Sequence, residues 1–372
     1  MKNMQTLFSV ITAAIILLTS LSCSKPKTTI IYRKKPASNN DNNNNYYPPS
    51  NYQRAPTTNN SDNAVGSNNS QPADNIDDNT SDTQPSEDDT TTQPADDTEE
   101  PETQDPPVTD GFVFVGASNV GNCKEKGTFA TGELLKKVMT EHPDAIVWGV
   151  GDNQYNDGSQ EEYDNCYNAS GWGDYLGKTL AAVGDHDKDL NVWINNFSDE
   201  NGSLLQDSTV TGETYFSYER GNWLIVGLDS QNKPSGQLAW LENLLQNSSA
   251  PCTLAMWHHP GKLTEAYELL YKYGADVILL GHAHYYQRFS VQDAGGNVDN
   301  EFGIRQFIVA TGGASLSSVS GGEASQSVFG ITKFVLGEDA YSWEFMPIEG
   351  TFKDQGSAKC HGAPPADDQN TN

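Results

Sequence analysis

The sequence predicts an α/β domain of two packed mixed β-sheets flanked by helices. Three features carry this. Short apolar runs recur between residues 110 and 350, and several stop at glycine. Helical spacing separates the early runs, whereas some later runs follow one another directly, as paired strands do. Ionisable residues sit immediately behind four of the runs, where open α/β sheets place their sites.

In chain order, Gly111–Gly116 encloses Phe-Val-Phe-Val and reads as a buried strand. Thr128–Glu141 has helical spacing, with Phe129, Leu134, Leu135 and Val138 on one side. Ala145–Val150 and Leu180–Val183 are the next strands. Tyr215–Tyr218 and Trp223–Leu228 form a pair joined by a Glu-Arg-Gly-Asn turn. Ser235–Gln246 is an amphipathic helix. Thr253–Trp257 and Asp276–Leu280 are strands on either side of a helix at Leu263–Tyr273. Arg305–Ala310, Ile331–Leu336 and Tyr341–Phe345 complete the set, and residues 351–372 read as a polar tail.

The rest of the chain has a different texture. Met1–Ser22 resembles a secretory signal, with Lys2 ahead of an apolar run, Leu7–Leu18, too short for a comfortable membrane span. Cys23 follows small residues, as in a bacterial lipobox, which predicts an exported lipoprotein anchored through Cys23 and facing the periplasm or cell surface. From Pro36 to Thr109 there are 15 acidic residues against one basic residue, Arg54, in a background of Asn, Pro, Thr and Ser. Such a stretch buries too little to offset its ordering entropy, so residues 23–109 are expected as a lipidated terminus and disordered acidic linker. A net charge of −28 argues against nucleic-acid partners. A monomer is expected.

Cys123, Cys166, Cys252 and Cys360 remain, and an even number in an exported chain suggests two disulfides with three possible connectivities. Cys123 and Cys166 both lie in loops after strands, which favours that pair. None has CxxC spacing, so a thiolate zinc site is not expected.

The chemistry lies behind the strands. Gly151-Asp152-Asn153-Gln154-Tyr155, Gly184-Asp185-His186-Asp187, His258-His259-Pro260 and Gly281-His282-Ala283-His284 hold five of the seven histidines. Imidazoles and carboxylates converging from several loops are what a pair of cations about 4 Å apart requires. Such a pair polarises a phosphate ester and acidifies a bound water.

In this order GDNQY, GDHD, WHHP and GHAHYYQR resemble the calcineurin-like metallophosphoesterases, and the Asp152–Tyr155 spacing resembles their purple acid phosphatase branch. Gly227–Ser230 and Thr311–Gly313 fall where that branch has matching phrases. The resemblance spans about Gly111–Phe345 and implies a four-layer αββα sandwich with two metal ions, of iron, zinc or manganese. Asp152 would bridge them. Tyr155 and His284 would bind the first, a ferric ion in that branch, and Asp185, His258 and His282 the second. His186, oriented by Asp187, would give a proton to the leaving group while a metal-activated hydroxide attacks a small phosphate monoester.

The chain departs from the pattern twice. The family carries an aspartate after the first strand, where Ala117 stands, and an amide where Asp185 stands. Occupancy of the first metal site is therefore open, and a shift of Asn119 or a water would only partly fill the gap. His259 is expected to be structural, and Arg288 either meets a substrate phosphate or forms an ion pair. The alternative function is a catalytically impaired metallophosphoesterase-like lipoprotein that binds or scaffolds.

Overall fold

A computed structural model describes residues 108–197 and 213–365. The leader, Cys23 and nearly all of the acidic stretch lie outside the described residues. Strands are numbered along the chain. One mixed sheet has the order β13 (Gln355–Lys359), β12 (Ala340–Pro347), β11 (Gly330–Leu336), β1 (Phe112–Ala117), β2 (Ile146–Val150), β3 (Thr179–Ala182). The other runs β10 (Ala324–Gln326), β8 (Tyr286–Arg288), β9 (Arg305–Val309), β7 (Val277–Leu280), β6 (Cys252–Trp257), β5 (Trp223–Gly227), β4 (Phe216–Arg220). Strands β1, β2 and β3 are mutually parallel, as are β5, β6, β7 and β9, and the outer strands pair antiparallel.

The period-2 geometry of buried strands sorts their apolar residues onto two faces. In β7, Val277 and Leu279 face the core between the sheets, with Phe114, Trp148, Leu254 and Phe334. Ile278 and Leu280 face outward, toward Leu241 of α4 (Gln237–Asn247) and Leu270 of α5 (Thr264–Lys272). On the opposite outer face, α1 (Gly127–Glu141) packs Leu135, Val138 and Met139 over Val113 and Val115. The result is the four-layer sandwich that the sequence implied.

Two readings need correction. The buried stripe of α1 is Thr128, Thr131, Leu135, Val138, so Phe129, one position off that stripe, is 46% exposed. The domain also does not end at Gly350. β13 pairs with β12 through residues 355–359, because a polar edge strand needs only backbone partners and carries no apolar signature. Aromatic packing builds a further region between β2 and β4. A helical turn, α2 (Gln160–Glu162), a π-turn at Tyr163–Tyr167 and α3 (Leu190–Phe197) converge through Tyr163, Tyr167, Trp172, Trp193 and Phe197.

Disulfides link Cys123 with Cys166 and Cys252 with Cys360. The second fastens the residue after β13 to the start of β6, closing a separation of 108 residues. Asp276 reinforces it by accepting from the Thr253 and His361 amides, each at 2.8 Å. Among the described residues, no helix is long and apolar enough to cross a membrane.

Replacing both Cys252 and Cys360 with alanine is expected to lower the unfolding free energy by about 2–4 kcal/mol in urea titrations. The same change is expected to expose residues 355–365 to proteolysis.

Candidate metal centre

The C-terminal ends of the parallel strands of both sheets meet along one edge. The Ser118 amide donates to the Val309 carbonyl at 2.8 Å, Asn119 to Gly151 at 3.2 Å and Gly281 to His258 at 2.9 Å. Glycine makes two further close approaches possible. A Cβ at Gly184 would lie 2.1 Å from the Asp152 amide nitrogen, and one at Gly281 would lie 2.2 Å from Ser118 Oγ. Four residues at the edge hold left-handed backbone: Asn119 (φ 58°), Asp152 (50°), His282 (67°) and His284 (62°). Non-glycine residues sit there at a cost, and such positions cluster at functional sites.

Asp185 is the focus. Its Oδ1 lies 3.2 Å from His258 Nε2, 3.3 Å from His259 Nε2 and 3.2 Å from His282 Nδ1. His258 Nδ1 is 2.8 Å from the Val150 carbonyl, which can only accept, so Nδ1 carries the ring hydrogen. Its Nε2 then points a lone pair at Asp185 Oδ1 and, at 3.2 Å, at Asp152 Oδ1. Lone pairs so arranged call for a cation. Without a metal a proton serves: burial favours neutral His258, but the Asp152 and Asp185 carboxylates outweigh it and push its pKa up to about 10. Burial lowers His259 to about 4 despite Asp185, keeping it in the neutral form a ligand needs.

One ligand atom from each of Asp185, His258, His259 and His282 lies within 4.8 Å of the others, close enough for a single ion. Three imidazoles and a carboxylate suit a borderline divalent ion such as zinc. His258 is fully buried, but the Asp185 and His282 side chains are 31% and 34% exposed. The cluster therefore opens to solvent on one side, which gives a small molecule access to it.

Beside it, Tyr155 OH donates to Asp152 Oδ2 at 2.7 Å and lies 3.3 Å from His284 Nε2. Burial, then the Asp152 charge, keep the Tyr155 phenol protonated, raising its pKa well above the ordinary value. His284 Nδ1 meets the Ser315 carbonyl at 2.7 Å. The fully buried Asn119 joins this group, with Nδ2 2.6 Å from Tyr155 OH and 3.1 Å from Asp152 Oδ2.

Comparison with known proteins places this arrangement. Residues 80–286, more than half of the chain, match the calcineurin-like phosphoesterase family. The chain belongs to that family. It is 24% identical to purple acid phosphatase 15 of Arabidopsis thaliana over a match covering 43% of this chain and 38% of that protein. The structure of purple acid phosphatase PPD1 from yellow lupin aligns with a TM-score of 0.53 at 17% identity, covering 69% of this chain and 55% of that one. GAP50 of Plasmodium aligns with a TM-score of 0.52 at 11% identity, covering 68% of this chain and 90% of that one. The chain thus spans well under two thirds of the purple acid phosphatases it matches.

Against the calcineurin-like pattern, Asp152, Tyr155, Asp185, His186, His258, His282 and His284 come together on one edge. Asp187 does not act as expected. His186 is held by the Asn156 carbonyl, 2.6 Å from its Nδ1, and by its ring against Tyr155 at 4.3 Å. Asp187 is buried and faces the other way, accepting from the Gly184 and Asn153 amides at 2.9 and 3.1 Å, from Asn153 Nδ2 at 3.0 Å and from Tyr163 OH at 3.2 Å. It ties the loop after β3 to the loop after β2. Burial and the Asp152 charge push its pKa up to about 6, and those amides pull it back.

Ala117 packs into the helix-side core with Val113, Val115 and Leu135, so strand alternation turns its side chain away from Asp152. The side chain that reaches Asp152 from the end of β1 is Asn119. His259, expected as structural, is as close to Asp185 as the other two imidazoles. Its signal was a second histidine between a ligand and a proline. Arg288 makes a bidentate pair with Asp354, both bonds 2.9 Å, and a further ion pair with Glu323, so it is structural.

Asp187→Ala would remove the acceptor of five buried donors: the Asn153, Gln154 and Gly184 amides, Asn153 Nδ2 and Tyr163 OH. It is expected to destabilise the metal-free protein by about 3 kcal/mol or more, measured by urea unfolding.

Proposed function

We propose that the chain is an extracytoplasmic metal-dependent phosphoesterase that hydrolyses small phosphate monoesters. The observation that carries this reading is the solvent-open cluster of Asp185, His258, His259 and His282 with His186 at its rim. The signal-like leader and lipobox-like Cys23 support the location, with the acidic stretch as a tether, the expected membrane attachment through Cys23 and action as a monomer. A divalent ion held by these side chains supplies Lewis acidity, polarising a phosphoryl oxygen and acidifying water.

The chain's own groups do the rest. Asp152 and Asp185 fix the imidazoles and set the charge of the site. His186 is placed to serve as the acid. Its Nδ1–H is committed to the Asn156 carbonyl, so a transferable proton sits on Nε2 in the imidazolium form, and Nε2 lies 3.9 Å from Asp185 Oδ2. As the ester P–O bond breaks, that proton passes to the departing alkoxide and releases an alcohol. His186 is partly exposed, which leaves room for a leaving group.

A second reading has its own support. Asn119 brings an amide where the family's pattern has a carboxylate, and GAP50, which shares the fold, is described as an anchor in the inner membrane complex. In that reading the domain binds without turning over.

Metal-loaded protein is expected to hydrolyse p-nitrophenyl phosphate, with His282→Ala abolishing the activity. Inert protein that still holds metal points to the second reading. His186→Ala is expected to lower kcat by about 10²–10⁴ on alkyl phosphates and far less on p-nitrophenyl phosphate, whose leaving group needs no proton. Equal losses on both substrates would assign His186 to binding.

A further inference from the structure

The family's pattern implies two ions, the first held by Tyr155, His284, bridging Asp152 and a carboxylate arriving from the first strand. Here the side chain that arrives is Asn119. An amide has an oxygen end and a hydrogen-donating end, and the structure fixes which is which. The backbone N–H of His282 lies 2.9 Å from Asn119 Oδ1 and can only donate, so that atom is the oxygen. Ser118 Oγ lies 2.7 Å from the same oxygen and shares its one hydrogen between it and the Val150 carbonyl, also at 2.7 Å. Nδ2 must then face inward, giving one hydrogen to Asp152 Oδ2 at 3.1 Å and the other to Tyr155 OH at 2.6 Å.

This amide sits among the atoms that would serve the first ion and presents them with hydrogens. A nitrogen with two hydrogens and no free lone pair cannot coordinate, and its dipole opposes a cation. The other half of the site has gained what this half lost. A carboxylate, Asp185, stands where the family has an amide, and His259 adds a third imidazole. Charge points the same way. One divalent ion balances Asp152 and Asp185, whereas two would leave about two positive charges uncompensated beside fully buried Asp152 and His258.

We propose that this chain is a one-metal member of its family, with a single divalent ion of the zinc class held by Asp185, His258, His259 and His282, and the Asn119 carboxamide in place of the first ion. This rests on the reading that the site binds metal. Asn119 thus becomes a hydrogen-bonded substitute for an ion, holding Asp152 and Tyr155 in position. With Asn119 in place of the first ion, no iron-tyrosinate colour is expected.

The test is the number of ions per chain. The purified full chain is saturated with Zn²⁺, freed of excess by dialysis and counted by mass spectrometry of the metal, with calorimetric titration as a second count. One ion per chain is expected. Two would overturn the proposal while leaving the phosphoesterase reading intact, and none would remove the metal reading beneath both. Asn119→Asp keeps an oxygen for the His282 amide and offers a second to the ion, so the count is expected to rise to two. Ala117→Asp faces the helix-side core and is expected to leave it at one. A folded Asn119→Asp protein that stays at one ion would overturn the role given to Asn119. His259→Ala is expected to weaken zinc affinity at least about tenfold, and unchanged affinity would contradict ligation by His259. The wild-type count needs no variant, so the proposal stays testable even if Asn119→Asp fails to fold.

Discussion

One carboxylate oxygen organises the functional edge of this protein. Asp185 Oδ1 is faced by three imidazole nitrogens from two loops at 3.2–3.3 Å, and one of them, on His258, is also 3.2 Å from Asp152. Acceptors and lone pairs held so close repel unless something positive lies among them. A proton on His258 satisfies the arrangement in part, and a divalent ion satisfies it fully. Much else at the edge keeps these groups in place: the Val150 carbonyl fixes the His258 tautomer, Ser230 braces His259, and Asp187 locks the loop that carries Asp185.

The fold makes such crowding attainable. Parallel strands from both sheets end at one edge, and in the loops after β1, β2, β3 and β7 a site residue enters left-handed backbone or follows a glycine with no room for a side chain. These conformations are tolerable because the strands beneath are packed on both faces, between an inter-sheet core and outer helices. Rigidity below and strain above are two aspects of one design, in which stability in the sheets holds a site that would not persist alone.

Most of the fold was legible in the sequence because buried parallel strands announce themselves as continuous apolar runs. The elements that escaped had no such signature. β13 is a polar edge held by backbone bonds and a disulfide, and α2 with its π-turn is held by aromatic residues scattered through a loop. Motif order brought the ligand-bearing loops into view, including Asp152, Asp185, His258, His282 and His284. Two assignments depended on direction and not on identity, which spacing does not encode. Asp187 follows His186 in sequence but faces the strands, and Ala117 faces the helices while Asn119, two residues on, faces the site. His259 was visible, but only its distance to Asp185 set it beside the other imidazoles.

On the one-metal reading, Asp185, His258, His259 and His282 converge on one cation. Anomalous diffraction at the zinc edge from crystals of the zinc-loaded protein tests it most directly. The expected result is a peak about 2.0–2.3 Å from an Asp185 oxygen and from His258 Nε2, His259 Nε2 and His282 Nδ1. A peak centred instead on Tyr155 and His284, or an ordered site with no peak, would contradict it.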